Sequence, residues 1–419
     1  MQGETKTVTM LGKWRTGALC ESRMGLQDAQ AILHSQAEPI GTERIPLGEA
    51  GFRILAEPLF ALIDSPRETV AAMDGFAVCD RAARAGCLTF AIAGASYPGD
   101  SIPAFDDPST AARVTTGAPV PPGKQRIIPF ELVEEEKGAI RLAGPLPAAP
   151  HVRLKASGFE AGQPVLPAGT VLAPAKLLVA AASDNGEVLV HRRPKVRIIT
   201  NGSELVAAGL AADTSNRVPD SLSPPLLMMA RQWGAEATGG MLCPDYAGAI
   251  RKAVLAALED CDVLVIAGGA SNGDCDLARP VLRALGLVPL FAGVAIKPGK
   301  PVWYGRLNGV HVLGLPGNPA AAMAVARLFL APLLCTLSGR PFTAALDWRE
   351  SPLSAAAEAA DARRDMALFG HREPGGRIAI LPRQSASAQL PLAKAELLVL
   401  RQAGSPPLPA GAPVRVLDL

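Results

Sequence analysis

DVLVIAGGASNGDCD (residues 262–276), VAIKPGKP (294–301) and VLGLPGNP (312–319) are three loop motifs, each directly after or between strand-like runs. Residues 263–267 form a short apolar, β-branched run of the kind that makes a buried strand. Gly268-Gly269 ends that run with backbone that a ligand can approach closely. Beyond it, Ser271, Asn272, Asp274 and Asp276 offer a hydroxyl, an amide and two carboxylates, a set suited to a divalent cation or to the polar atoms of a ligand. Lys297 and Lys300 bracket Pro298-Gly299, a turn stiff on one side and free on the other, so both ammonium groups can be held toward one anion. Pro316-Gly317-Asn318 then opens the apolar run 320–334, and a glycine turn at a helix N-terminus is expected to present free N–H groups to a second anion. Each piece alone also has an ordinary reading, because loops are rich in Asp for turn reasons and isolated lysines belong to the surface.

Working outward, strand-like runs (VRIIT, DVLVIA, VHVLGLP) alternate with helical runs at 225–233, 247–258 and 320–334. That alternation predicts a parallel sheet with helices on both faces and ligands at the carboxyl ends of the strands, where all three motifs fall. Toward the N-terminus, residues 26–34 read as an amphipathic helix, and Leu47, Ala50, Ile54 and Leu55 predict a second over 45–56. From 88 to about 140 the pattern changes to short β-like runs separated by Pro and Gly, which predicts a small β-rich module; residues 142–150 read as a linker. Short strands between Gly and Pro clusters in 341–419 are consistent with a small β-barrel. A chain of 419 residues is too long for one core.

Composition excludes several function classes. The formal charge is +2, from 41 basic and 39 acidic residues, without a polybasic run, so nucleic acid is not an expected partner. Seven cysteines are scattered with no C-x-x-C pair, which argues against a disulfide framework or a zinc site and for a reducing cytoplasm. The first residues lack a continuous apolar stretch, and the most apolar late segment is interrupted by Arg327 and Pro332, so neither a signal peptide nor a membrane span is expected.

Three further motifs lie upstream: AAMDGFAV (71–78), RVTTGAPVPPG (113–123) and VRIITNGSELV (196–206). With the first three they resemble, in order along nearly the whole chain, the molybdopterin molybdenumtransferase family, which includes the C-terminal part of gephyrin. The matching family patterns are S-x-M-D-G-Y-A, R-x-x-T-G-A-P-x-P-x-G and T-G-D-E-L. The resemblance implies an α/β multidomain fold. Its parts are an elongated, discontinuous linker domain of helices and strands (24–62 and 148–193), an inserted β-rich module (63–147), a three-layer α/β molybdopterin-binding domain with a parallel-rich sheet (194–340) and a C-terminal β-barrel (341–419). It implies insertion of molybdate into adenylylated molybdopterin with release of AMP. Catalytic roles fall on Asp74, Thr116, Glu204 and Asp276; substrate and phosphate binding on Gly268, Gly269, Ser271, Lys297, Lys300, Pro316, Gly317 and Asn318; Mg²⁺ on Asp274, Asp276 and Glu204. Asp74 and Thr116 would reach the site from the partner subunit of a homodimer. A molybdopterin adenylyltransferase and molybdoenzymes are the implied protein partners.

The match departs from the family at named positions. Its G-E-D is here Ala156-Ser157-Gly158, so an expected carboxylate is absent, and Glu160 is the nearest substitute. T-G-D-E-L is Asn201-Gly202-Ser203-Glu204-Leu205; D-S-N is matched by Asp220-Ser221-Leu222, with Ser215-Asn216 as another alignment; Gly293 replaces a basic residue. Two readings therefore stand: an active transferase, or a non-catalytic paralogue that binds molybdopterin as carrier or scaffold.

Overall fold

The computed structural model describes residues 24–102, 104–105, 107–269 and 277–419. The chain divides into two compact units: Glu43–Val190, and the described residues up to Thr42 together with His191–Leu419.

Within Glu43–Val190, a six-stranded sheet runs in the order Arg126–Pro129, Gly75–Val78, Thr110–Val114, Thr89–Ser96, Ala139–Leu142, Val133–Glu136. Side chains alternate between its faces, as the two-residue period of a strand requires: Phe76 and Val78 pack with Phe90, Ile128 and Ile140, whereas Ala77 packs with Ala112, Val114 and Ile127. A second core gathers Leu55, Leu166, Leu172, Ala180, Val188 and Val190 around the helix Pro174–Ala182. The helix expected over 45–56 is not there. The chain instead forms the strand Thr42–Pro46, one 3-10 turn at Leu47–Glu49, and β-bridges from Ile54 to Val171 and from Leu55 to Val190. Pro46, Gly48 and Gly51 punctuate the segment, and the apolar spacing serves bridge partners rather than a helix face.

In the other unit the predicted α/β pattern is present. We label β1 (Lys195–Asn201), α1 (Ser223–Gln232), β2 (Glu236–Cys243), α2 (Ala247–Leu258), β3 (Val263–Ala267), α3 (Ala278–Ala284), β4 (Val288–Ala292), β5 (Trp303–Leu307) and β6 (Val310–Leu315). The sheet order is β2-β1-β3-β6-β5-β4. The first four strands are parallel and β5 runs antiparallel to both of its neighbours, β6 and β4, so the sheet is parallel-rich rather than purely parallel. β3 is buried along its whole length, and successive residues feed different cores: Val263, Val265 and Ala267 pack with α1 residues, Leu264 and Ile266 with α2 and α3 residues. A strand covered on both faces needs an unbroken apolar run, and VLVIA supplies one.

The apolar run after Gly317 becomes a helix over Pro319–Leu337, long and apolar enough to cross a membrane yet 94% buried inside the protein. It is a core helix that packs with Leu26, Ala29 and Leu33 of the predicted N-terminal helix, Leu26–Gln36. Its middle, Ala326–Leu330, widens to a π-helix immediately before Pro332, whose missing N–H removes one α-helical bond. Arg327, in that segment, is buried but satisfied. It donates to the carbonyls of Asp418 (2.5 Å) and Ala345 (2.6 Å) and stacks over Trp233 at 4.8 Å. The tail strands Arg349–Pro352, Asp365–Glu373, Arg377–Ile380, Leu397–Arg401 and Pro413–Asp418 form a sheet with Ile296–Lys297, and a β-bridge joins Leu353, next to Arg349–Pro352, to Ile378 in Arg377–Ile380.

Candidate functional site

At the carboxyl ends of the four parallel strands lies a cleft of about 530 Å³, walled by Thr200, Asn201, Gly202 and Glu204 at the end of β1, Asp245 after β2, Ala267–Gly269 at the end of β3 and Pro316–Pro319 after β6. Parallel strands end in loops on one side, so residues far apart in sequence converge there. Gly268 is required by close approach: its φ is +85°, and a Cβ would collide with the Asn201 carbonyl oxygen.

The described ionisable residues of the wall are carboxylates. Glu204, Asp220 and Asp245 line it, and no Lys, Arg or His is among its described lining residues. Asp220 is occupied structurally: its Oδ1 accepts the N–H groups of Leu222 and Ser223, both at 3.0 Å, and so starts α1. Asp245 accepts from the Ser203 N–H (2.8 Å) and from Asn201 Nδ2, while its own N–H donates to Ser203 Oγ (2.9 Å). Serine at 203 thereby keeps the two loops joined, and an aspartate there would set two carboxylates against each other. Glu204 is the one acid of the three whose carboxylate has no hydrogen bond or ion pair with another described residue; its backbone carbonyl accepts from the Val218 N–H at 2.9 Å. The 220–222 alignment is the one that the cleft supports, since Asp220, Ser221 and Leu222 line it, whereas Ser215 and Asn216 do not. Leu222, where the family carries Asn, is 4% exposed and joins the core beneath.

Other predicted residues are placed differently. Pro316, Gly317 and Asn318 line the cleft, but the N–H groups of the helix start are not all free. Ala320 and Ala321 donate to the Ala386 carbonyl at 3.1 and 3.3 Å, and Ala322 to that of Asn318 at 2.9 Å. A carbonyl brought from the tail, some 65 residues on, leaves no local sequence signal. Lys297 and Lys300 are exposed and outside the cleft lining; Ile296–Lys297 pairs with Asp365–Met366 of the tail sheet. The Arg364 hydrogen bond first, then the Arg363 N–H, pushes the Asp361 carboxyl down to about 2, and the charge of Lys297 adds a smaller pull. Gly293 holds φ +79° and donates its N–H to Val302 O at 2.8 Å, a conformation that a basic side chain would strain. Ser271, Asn272, Asp274 and Asp276 lie outside the described residues.

In the other unit, Asp74 Oδ1 accepts both the N–H (2.6 Å) and the hydroxyl (2.9 Å) of Thr116, and these two bonds, the N–H first, hold its carboxyl below the usual range. Arg113, the first residue of that motif, stacks on Phe76 and Phe130 at 5.0 and 4.9 Å and pairs with Glu135 at 2.5 Å. Gly158 sits in a turn, its N–H on Ser65 O at 2.8 Å; Glu160 is exposed.

Sequence reasoning passed over Asp245, Thr200 and Gln389, which also line the cleft. Asp245 follows a parallel strand and precedes α2, a position that topology alone makes worth inspecting. Among the described residues no three His, Cys, Asp or Glu side chains come together as a metal site. Of the acids expected to hold Mg²⁺, Glu204 is described and lines the cleft, whereas Asp274 and Asp276 lie outside the described residues.

Comparison with known proteins agrees with the motifs. Residues 24–183 match the MoeA N-terminal region (domain I and II), and residues 197–336 match a probable molybdopterin binding domain. A molybdopterin molybdenumtransferase of Synechococcus elongatus is 31% identical over 395 residues, 91% of this chain and 95% of that protein. One of Haemophilus influenzae is 31% identical over 78% of this chain and 79% of its own length. A crystal structure of a molybdopterin biosynthesis MoeA protein of Pyrococcus horikoshii superposes with a TM-score of 0.79 at 25% identity, covering 95% of this chain and 99% of that one.

Proposed function

Because the chain belongs to the molybdopterin molybdenumtransferase family, we propose that it is an enzyme of molybdenum cofactor biosynthesis that inserts molybdate into adenylylated molybdopterin and releases AMP. The observation that carries the reading is the cleft at the strand ends, where Glu204, Gly268-Gly269 and Pro316-Gly317-Asn318, from three separate family motifs, come to one wall. The curated relatives that bear this enzyme name over most of the chain favour it over the non-catalytic paralogue.

In this reading Glu204 is the reactive carboxylate of the cleft, joined by Asp276. Asp74 and Thr116 come from the partner of a homodimer, and Ser271, Lys297 and Lys300 hold the substrate's anionic end from outside the acidic wall. Mg²⁺ is held by Glu204 with Asp274 and Asp276. The enzyme works in the cytoplasm, receives its substrate from a molybdopterin adenylyltransferase and delivers to molybdoenzymes. Its architecture is the four-part division 24–62 with 148–193, 63–147, 194–340 and 341–419, with a three-layer α/β domain and a closed C-terminal barrel.

The test is AMP release from adenylylated molybdopterin by the purified protein with Mg²⁺, with and without molybdate. Molybdate-dependent release is expected, and it should stop on chelation. Tight binding without release would make the protein a cofactor carrier.

A further inference from the structure

A two-stranded flap supplies part of the cleft wall. Leu205–Val206 pairs in parallel with Val218–Pro219; the Val218 N–H donates to the Glu204 carbonyl at 2.9 Å and the Asp220 N–H to that of Val206 at 2.7 Å. Leu205, Val218 and Pro219 line the cleft. Arg217, the residue before Val218, is exposed, and its Nη1 donates to the Ser203 carbonyl at 2.5 Å. The main-chain bond at Val218 and this side-chain bond together hold the guanidinium beside residues 203–204, at the rim of the cleft. No other partner of the guanidinium is found among the described residues, so its Nε–Nη2 edge is open to a ligand. The family motif carries Asp where this chain has Ser203, and a carboxylate there would compete for the guanidinium. Ser203 Oγ instead accepts the Asp245 N–H.

We propose that Arg217 is a substrate-binding residue whose Nε–Nη2 edge takes two oxygens of the phosphoanhydride in the adenylylated substrate. The inference rests on the functional reading above and adds a cation that lies outside the family motifs. In that reading Glu204 holds Mg²⁺, so the phosphates come to the residue that the flap sets beside Arg217. Their charge is then met from two sides, by the metal ion within the cleft and by the guanidinium at its rim. The described lining itself offers no Lys, Arg or His, and Lys297 and Lys300 lie outside it. A planar fork matches two phosphate oxygens where an ammonium offers a point charge, and a fork already anchored through Nη1 loses less freedom on binding.

The test uses the full chain with Mg²⁺. It measures the Kd of adenylylated molybdopterin without molybdate over a range of salt concentrations, and AMP release with molybdate. Arg217→Gln is expected to weaken binding by at least about tenfold, the scale of a hydrogen bond to a charged group. It should also flatten the salt dependence of Kd and leave kcat unchanged. Arg217→Lys keeps the charge without the fork, so its affinity should lie between the two and keep the wild-type salt dependence. If Arg217→Gln melts early, Arg217→Lys replaces it, and affinity equal to wild type would then overturn the inference. An arginine that only fastens the flap would change affinity, if at all, without touching the salt dependence. Binding unchanged in Arg217→Gln, or weakened with the wild-type salt dependence, overturns the inference alone. Binding without AMP release in the wild type overturns the functional reading and leaves the affinity comparison to decide the inference; no binding overturns both.

Discussion

Two carboxylates that family motifs single out are held in opposite ways. Asp74 is saturated: one of its oxygens takes both the N–H and the hydroxyl of Thr116, so its charge and direction are set before any ligand arrives. Glu204, in the cleft of the other unit, is an exposed acid beside Asp220 and Asp245, both of which are engaged. A pre-bonded carboxylate is an orienting element, and an unengaged one in a cleft is available for chemistry. The difference sets a rigid carboxylate, Asp74, apart from a receptive one, Glu204.

The receptive carboxylate should give the largest effect. Glu204→Gln is expected to lower molybdate-dependent AMP release by about 10²–10³-fold, the scale of losing one reacting or charge-stabilising group. Its melting temperature should stay within a degree or two of wild type, since no described partner is lost. A large loss of stability would place Glu204 with Asp74, as a structural acid.

Acid separates the two units next. His311 is buried on β6 between Tyr304 and Arg306. The guanidinium donates to Nε2, so the ring proton sits on Nδ1 and is given to the Tyr304 oxygen at 2.6 Å. Burial first, then Arg306, pushes its pKa down to about 3 from 6.5, against a smaller opposing pull from Asp262. Between those values the unfolded chain binds a proton that the folded chain refuses. Stability present above pH 6.5 is therefore lost as pH falls toward 3, by on the order of a few kcal/mol. The lowered pKa of Asp74 acts only below its ordinary 3.8. Trp233, Trp303 and Trp348 all lie in the unit that holds His311, and Glu43–Val190 has no tryptophan. Denaturant unfolding followed by tryptophan fluorescence should therefore weaken from pH 6.5 to 4.5, and the slope should flatten in His311→Gln. An unchanged slope would mean that the buried imidazole does not set it.

The rigid carboxylate should respond more gently. Asp74→Asn keeps the shape of the turn but loses the charge that Thr116 supports. AMP release is expected to fall by roughly tenfold, with Thr116→Val giving a similar loss and Thr116→Ser little, since serine keeps the hydroxyl. Equal activity in all three variants would leave the Asp74 turn as scaffold only.

The same contrast governs what could be read from sequence. Elements carried by local pattern were legible: VLVIA as a buried strand, residues 247–258 as a helix that the structure reproduces as Ala247–Leu258, and the glycine turns that end β3 and β6. What the sequence concealed depends on distant partners. Asp245 matters only because β2 lies beside β1, and Ala386 reaches the start of the helix at Pro319 from the tail. At 45–56 an apolar spacing suggested a helix until its partners, Val171 and Val190, turned out to be strand-like neighbours.

The smallest effect lies in the segment where the family carries G-E-D. Ala156 occupies the position of the family glycine and adopts φ +58°, a left-handed conformation that an alanine Cβ disfavours. Its N–H donates to Pro66 O at 3.0 Å, so the turn is held by its neighbours in spite of that cost. Ala156→Gly removes roughly 1–2 kcal/mol of strain but adds about 0.5–1 kcal/mol of backbone entropy to the unfolded chain. A net gain of roughly 0.5–1 kcal/mol should appear in chemical denaturation, with AMP release unchanged. If activity rose together with stability, the G-E-D turn would be shaping the site through its backbone. The glycine lost at 156 would then matter beside the carboxylate lost at 158.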